Sequence, residues 1–350
     1  MPTISIAERG LLLPAHDDDN LLEVLLRHGV PIGYSCRRGN CGSCACAVVS
    51  GEVAVDAGGR TVPAQEQGVI LACRARVRGD LALRLVDGDD FVAYPRRRLR
   101  THVSTLERLA PDVYALRLHI DAVDRDGAPF AFAAGQYASL LARNAEGAWI
   151  ARDFSMAGTP VQAEYDDLLE FHVRRSPHGA FSGLLGSVIV PGATVWVEGP
   201  QGSSHFRQRH AGPLYAVAAG TGLGPMLSIV RTALDNGKLE PVRLYAGFRS
   251  ADEVYGADAL DALAREFPHF AAQIVVEDGS RGRSGRVGDA LLADVAAFSG
   301  AKVYLAGSPA MVEGVTAALR ARGVAPGDLH ADAYYPQGPG GGAPPPRAIG

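Results

Sequence analysis

GYSCRRGNCGSCACAVV, running from Gly33 to Val49, gathers Cys36, Cys41, Cys44 and Cys46 into one short stretch. The chain has five cysteines, and the fifth, Cys73, stands in LACRA, Leu71–Ala75. Cys36, Cys41 and Cys44 follow the spacing C-x4-C-x2-C, and Cys73 lies 29 positions after Cys44. An odd number of thiols crowded into one loop does not make a secreted disulfide framework. The expected setting is a reducing cytoplasm.

Three thiolates from a wrapped loop and a fourth from a neighbouring strand are what two bridged irons require, and this is the plant-type [2Fe–2S] spacing. The predicted ligands are therefore Cys36, Cys41, Cys44 and Cys73. Gly39 and Gly42 let such a loop bend and turn backbone N–H groups toward the sulfurs. A zinc site is the rival, but it prefers two separated C-x2-C pairs or added histidines, and neither is present. Cys46 follows Cys44 by two positions on a period-2 strand and shares its side; it reads as a small buried hydrophobe.

Around this loop the first ninety or so residues read as a small unit of short strands and one helix. TISIAER (Thr3–Arg9) and GLLLPAH (Gly10–His16) alternate as a hairpin, and DNLLEVLLRHG (Asp19–Gly29) has helical spacing. Asp19 or Asn20 can cap that helix and Gly29 can end it. CACAVVSGEVAV (Cys44–Val55) and GVILACRARVRGDLALRL (Gly68–Leu85) read as strands. The unit is assigned residues 1–93. YPRRRLR (Tyr94–Arg100) is read as a linker whose basic run is as readily a solvated edge as a partner site.

From Thr101 to about residue 210, short alternating stretches such as VYALRLHI (Val113–Ile120) and ATVWVEGP (Ala193–Pro200) predict an antiparallel β-barrel. From residue 211 to 336 the texture changes. LYAVAA, VRLYAGF, AAQIVVE and KVYLAGS are nearly continuous apolar runs separated by helical stretches, which predicts a parallel α/β sheet. The end, residues 337–350, is Gly/Pro-rich and is expected to be disordered. The fold class is thus α+β and multidomain.

The 350 residues are 47% hydrophobic and 21% charged, with a net charge of -4. This gives no reason to expect nucleic acid as a partner. No apolar run is long enough to span a bilayer, and the start lacks the pattern of a signal peptide. No membrane partner is expected.

CRRGNCGSCACAVVSGEV (Cys36–Val53) followed by LACRARVRGDLAL (Leu71–Leu83) resembles the ferredoxin domain of the flavin-dependent reductases that serve bacterial oxygenases. The rest of the chain carries that resemblance further. ARDFSMAG (Ala151–Gly158) has the Arg-x-aromatic-Ser pattern of the ferredoxin–NADP reductase superfamily, and FHVRRSPHGAFSGLL (Phe171–Leu185) is similar to its second flavin segment. The resemblance implies FAD held by Arg152, Asp153, Phe154, Ser155, His172, Val173, Arg174, Gly179, Ala180, Phe181 and Ser182. Arg152 would offer a guanidinium fork to the pyrophosphate, Phe154 a ring to the flavin, and Ser155 a hydroxyl near flavin N5. Gly179–Ser182 would open a helix with its N–H groups toward the pyrophosphate. His178-Gly179 replaces the paired glycines more usual in the family, and Arg174 is either a second phosphate contact or a strand-surface charge.

LYAVAAGTGLGPML (Leu214–Leu227) sets Gly220, Gly222 and Gly224 after a buried strand, with Pro225 in the first turn of the next helix. In the family this turn meets the nicotinamide, with Thr221 near the reacting ring. YAGFRS (Tyr245–Ser250) brings Arg249, while Asp252 and Glu253 disfavour a 2′-phosphate; NADH is the expected donor, with NADPH as the alternative. VYLAGSPAMV (Val303–Val312) resembles the family's Cys-Gly-Pro-x-x-Met element, contributing Gly307 and Met311, but has Ala306 where many members have cysteine. LHADAYYP (Leu329–Pro336) is similar to the naphthalene dioxygenase and salicylate hydroxylase reductases, in which an aromatic covers the flavin; Tyr334 is the candidate and Asp332 stands beside it.

The resemblance implies a cytoplasmic iron–sulfur flavoprotein in aromatic hydrocarbon catabolism, with Ser155, Thr221 and Tyr334 at the reacting centre. Electrons would run from NAD(P)H through FAD and the [2Fe–2S] cluster to a ferredoxin, of Rieske type, of a ring-hydroxylating dioxygenase. Direct delivery to a diiron monooxygenase or a deoxysugar dehydratase is the alternative. A metal-stabilised binding module without turnover is the reading from another class. Arg37 and Arg38, flanking Cys36, are expected to face an acidic acceptor surface.

Overall fold

The structure is a computed structural model and describes residues 1–34, 37, 39, 43–55, 60–63, 68–86, 91–92, 94–121 and 128–335. Three six-stranded sheets follow one another along the chain. In the first, β1 (Thr3–Ile6) and β2 (Leu11–Pro14) pair antiparallel as the hairpin pattern requires. β3 (Ala45–Val55), β4 (Arg60–Pro63), β5 (Val69–Leu71) and β6 (Ala75–Leu85) complete it. The order is β2-β1-β6-β3-β4 with β5 beside β3, and β1 runs parallel to β6. This is the β-grasp arrangement. Helix α1 (Leu21–Arg27) crosses it, capped by Asn20, whose side chain accepts from Glu23 N–H at 3.2 Å. Leu21, Leu22 and Leu25 on its inner face are buried with Ile4, Ile6 and Leu83. Each such leucine contributes about 2 kcal/mol by leaving water.

The second sheet is antiparallel, in the order β10-β9-β12-β7-β8-β11. Its strands are β7 (Arg97–Ala110), β8 (Val113–Ile120), β9 (Tyr137–Arg143), β10 (Trp149–Ser155), β11 (Leu168–Arg174) and β12 (Thr194–Gln201). The two edges meet where Met156 bridges Phe171 and Ala157 N–H donates to Glu170 O at 2.7 Å, so the sheet rolls into a barrel. Arg97–Arg100, read from sequence as linker, already lie in β7. The alternation explains this: Leu99 is buried, while Arg98 pairs with Glu198 at 2.6 Å and Arg100 with Asp121 at 3.2 Å. With Arg96 also on Glu198 at 2.7 Å, these members of the basic run bind the barrel's own carboxylates.

The third sheet is parallel: β13 (Leu214–Ala219), β14 (Val242–Phe248), β15 (Phe270–Val276), β16 (Arg283–Ser284), β17 (Lys302–Gly307) and β18 (Leu329–Ala333). Its order is β16-β15-β14-β13-β17-β18. Besides the short α2 (Pro160–Tyr165) of the barrel, the helices are α3 (Leu223–Asp235), α4 (Ala257–Glu266), α5 (Val287–Asp294) and α6 (Pro309–Ala321). Leu214, Ala216 and Ala218 face α3 and α4, whereas Val217 faces α5 and α6. Both faces are covered, which is why these strands read as continuous apolar runs. Ala110, Val113, Ala134 and Phe206 of the barrel side share the core around α3, so the barrel and the parallel sheet pack as one body. The strand order reverses between β13 and β17, the place where open α/β sheets bind ligands. At that crevice a Cβ on Gly222 would lie 2.1 Å from Ala306 O, so only glycine lets the turn after β13 sit against β17. Among the described residues no helix is long and apolar enough to cross a membrane.

Candidate functional site

Cys73 sits in the 3-10 turn Ala72–Arg74 between β5 and β6, and its N–H points at Cys44 Sγ at 3.5 Å. Ala72 N–H donates to Cys44 O at 2.9 Å, and Asn20 Nδ2 donates to Cys73 O at 3.0 Å. Both sulfurs are therefore held on adjoining, buried turns. Two buried thiols with an amide aimed at one sulfur suit a thiolate-bound cluster. Cys36, Cys41, Arg38 and Gly42 lie outside the described residues. Cys46 is fully buried, and burial, then the nearby Cys44, pushes its thiol up to about 12. It packs as a neutral hydrophobe on the side it shares with Cys44.

Arg37 is exposed at the surface, as an acceptor contact would require. Its guanidinium lies 5.0 Å over the Tyr34 ring and 3.5 Å from Glu23 Oε1. Burial works against its charge, but Tyr137, Glu23 and Tyr34 raise its pKa above the ordinary value.

A cleft of about 340 Å³ opens between the barrel and the carboxyl ends of the parallel strands. From the barrel it takes Tyr137, Arg152, Asp153, Phe154, Ser155, His172 and Arg174; Gly179, Ala180, Phe181 and Ser182 form one wall. Thr221 and Asp332–Tyr335 close it from the parallel sheet. Edge strand β10 thus meets the end of β18. Ser155 Oγ donates to Asp332 Oδ2 at 2.8 Å, and Tyr334 lines the same cleft two positions further on. Burial first, and then Asp332, raise the Tyr334 phenol well above its usual range. Phe154 stands 5.2 Å from the Phe181 ring. An elongated cleft with a guanidinium, aromatic rings and a buried hydroxyl–carboxylate pair fits a flavin dinucleotide.

Next to it a chain of polar contacts ties the barrel to the turn after β13. Arg117 Nε donates to Glu170 at 2.8 Å, Glu170 meets His172 Nε2 at 3.0 Å, and His172 Nδ1 lies 3.3 Å from Tyr255 Oη. Tyr255 Oη in turn donates to Gly220 O at 3.4 Å. Burial opposes the Glu170 charge, but the hydrogen bonds from His172 and Arg117 outweigh it and hold that carboxyl at about 2. Arg174 is bound by Asp112 at 2.7 Å and Glu253 at 3.3 Å, and Arg249 by Glu253 at 2.7 Å.

Several predicted contacts fall elsewhere. Val173 is wholly buried in the barrel core, as the period of β11 dictates, so its side chain is turned from the cleft. Met311 packs on the core under α6. Gly220, Gly222, Gly224, Pro225, Arg249 and Gly307 do not line the cleft; they surround the switch between β13 and β17, except Arg249, which follows β14. Gly179–Ser182 lead only into the 3-10 turn Ser182–Leu184, not an α-helix. Gly183, Gly186 at φ +80° and the β-branched Val188-Ile189-Val190 before Pro191 stop propagation. Tyr137, Glu170, Tyr255 and Tyr335 went unremarked in the sequence. Tyr137 had one signal, an aromatic opening a strand directly after Gly135-Gln136.

Comparison with known proteins agrees with this layout. Residues 4–78 match the 2Fe-2S iron-sulfur cluster binding domain, 100–206 the oxidoreductase FAD-binding domain and 216–317 the oxidoreductase NAD-binding domain. The chain is 36% identical over 333 residues to the ferredoxin–NAD(P)+ reductase component of the naphthalene 1,2-dioxygenase/salicylate 5-hydroxylase systems of Ralstonia sp, covering 94% of this chain and 97% of that one. It is likewise 36% identical over 338 residues to the reductase component of the Pseudomonas putida naphthalene 1,2-dioxygenase system, with 95% and 98% covered. The crystal structure of the Amycolatopsis cytochrome P450 reductase GcoB superposes with a TM-score of 0.70 at 33% identity, over 96% of this chain and 99% of that one. With cluster, flavin and nicotinamide modules in this order over nearly its whole length, the chain belongs to the family of ferredoxin–NAD(P)+ reductase components of bacterial oxygenase systems, oxidoreductases that use a [2Fe–2S] cluster, FAD and NAD(P)H.

Proposed function

We propose that this chain oxidises NADH and reduces a Rieske-type ferredoxin of an aromatic-ring-hydroxylating dioxygenase in the cytoplasm, with a cluster module at 1–93, a flavin barrel from Arg97 to about residue 210 and a nicotinamide module at 211–336. The observation that carries it is the meeting of Ser155, Asp332, Tyr334 and Thr221 on one cleft. The aromatic oxygenase partner is supported by the named systems of the two relatives. The thiolate ligands call for a reducing compartment.

Bound FAD supplies the conversion of a two-electron hydride into single electrons that a [2Fe–2S] cluster can take. The chain provides position and field. Arg152 and the backbone of Gly179–Ser182 hold the dinucleotide side, Phe154 and Phe181 give it an apolar wall, and Ser155 presents a hydroxyl fixed by Asp332. Tyr334 covers the cleft where the nicotinamide must enter and has to swing aside for it. Thr221 then orients the nicotinamide over the glycine turn. Cys36, Cys41, Cys44 and Cys73 hold the cluster. Anaerobic NADH titration followed by absorbance tests this: flavin and cluster bands must bleach together, and a colourless protein would refute the reading. Acceptor assays with a Rieske ferredoxin, a diiron monooxygenase and a dehydratase then identify the partner.

NADH preference follows from Glu253, whose carboxylate engages both Arg249, after β14, and Arg174, and so leaves a negative charge where a 2′-phosphate would need a free cation. Glu253→Gln removes that charge. It is expected to raise kcat/KM for NADPH about tenfold, equal to about 1.4 kcal/mol, with little change for NADH. Steady-state kinetics with both donors check this, and an unaltered ratio would remove Glu253 from the specificity argument.

A further inference from the structure

Tyr34 stands two positions before Cys36, at the entrance to the thiolate loop. Its N–H donates to Ser203 Oγ at 2.6 Å, and its carbonyl accepts from Ser203 N–H at 3.0 Å and from Ser203 Oγ–H at 3.0 Å. Ser203 follows β12 of the barrel and is 4% exposed. One buried hydroxyl therefore both accepts from and donates to the backbone of a residue 169 positions away. The preceding Gly202 has φ +88°, and a Cβ there would lie 2.8 Å from Cδ1 and Cε1 of Tyr137. The Tyr137 ring thus fills the space that glycine leaves beside Ser203, while also bordering the cleft. Arg37 lies over the Tyr34 ring, and Tyr137 and Tyr34 both act on its charge. Tyr34 and Arg37 of the cluster module and Ser203 and Tyr137 of the barrel form one seam: Tyr137 borders the cleft, and Ser203 shares a pocket with Ser43 and Ala45, the two neighbours of Cys44.

We propose that this seam is the passage for electrons from the flavin cleft to the cluster, with Ser203 and Tyr137 as positioning residues that dock Tyr34 and set the loop against the cleft. This rests on the reading of the cleft as the flavin site and of the thiols as cluster ligands. Each NADH is oxidised to NAD+ and delivers one hydride, that is, two electrons and a proton. The proton goes to solvent. The electrons cross the seam singly, each reducing one oxidised cluster, which the outside acceptor reoxidises before the next arrives. Electronic coupling decays more steeply across empty space than through bonded and hydrogen-bonded atoms. A dock that fixes the gap therefore controls the rate, as positioning does in catalysis generally. Contacts that only glued two modules together could lie anywhere on their interface; these touch both the cleft, through Tyr137, and the neighbours of Cys44, through Ser203.

Ser203→Ala deletes the bridging hydroxyl and leaves the Ser203 N–H bond to Tyr34. In anaerobic stopped flow of the holoenzyme with NADH, flavin bleaching is expected to keep its rate while cluster bleaching slows about tenfold. Ser203→Thr, which keeps a hydroxyl, is expected to restore most of the rate. Apart from turnover, the Tyr34 amide should exchange its hydrogen about tenfold faster in the alanine variant. Cluster bleaching at the wild-type rate in Ser203→Ala, or equal slowing in alanine and threonine variants, overturns the proposal. A wild-type protein without flavin or cluster bands overturns instead the function on which the seam depends.

Discussion

Cys73→Ser is expected to abolish ferredoxin reduction, by at least about a hundredfold, while NADH still bleaches the flavin. Cys73 is the long-range thiol, and its own N–H is directed to Cys44 Sγ at 3.5 Å. A serine hydroxyl is a far poorer iron ligand, so the variant should be purified with flavin but with its iron largely lost. Cys46→Ser is the matched control. Cys46 is 0% exposed and packs in the core behind the loop, so its substitution leaves the cluster in place. It costs stability instead, about 1–3 kcal/mol for a buried hydroxyl without a designed partner. Iron analysis, the visible spectrum and a melting curve of both variants check the pair. A cluster retained in Cys73→Ser, or lost in Cys46→Ser, would sink the ligand assignment.

Ser155→Ala should slow flavin reduction by NADH about a hundredfold, the penalty typical of losing a positioning contact at a reacting centre. The Ser155 hydroxyl is 2.8 Å from Asp332 Oδ2, so it links the barrel to the last strand of the parallel sheet, next to Tyr334. Its loss removes a donor from a buried carboxylate and loosens the aromatic cover. Flavin content should stay close to wild type, because Arg152 and the Gly179–Ser182 backbone remain. Stopped-flow absorbance gives the rate and the extracted chromophore gives the content. A rate within threefold of wild type would place Ser155 outside the reacting centre.

Arg37 shows why charged residues are hard to read from the sequence. It is visible as a cation beside Cys36, but the carboxylate it meets, Glu23, lies on α1. A guanidinium is satisfied by whatever carboxylate folding brings near. Arg249 is the contrary case: Glu253 stands four residues on, a local spacing. Val173 and Met311 differ again: the alternation of β11 and the packing of α6 turn those side chains toward cores. Phe154, Ser155, Phe181 and Ser182 do come together on one cleft, because a strand edge and a tight turn fix which way their backbone faces.

The crowded thiols, the switch from alternating to continuous apolar runs near residue 211, and the order of the three modules were written in the sequence itself. Spacing within a loop and periodicity along a strand are local properties, and local chemistry is enough to specify them. Tertiary structure alone decided that Ser155 meets Asp332 across 177 positions, that His172 reaches Tyr255, and that Ser203 pairs with Tyr34. These contacts join segments far apart in the chain, where the geometry comes from how the closed barrel packs on the parallel sheet and the β-grasp module on the barrel. The cysteines are a pattern of spacing, whereas the hydrogen bonds of Ser203 to Tyr34 exist only once the cluster module has packed on the barrel.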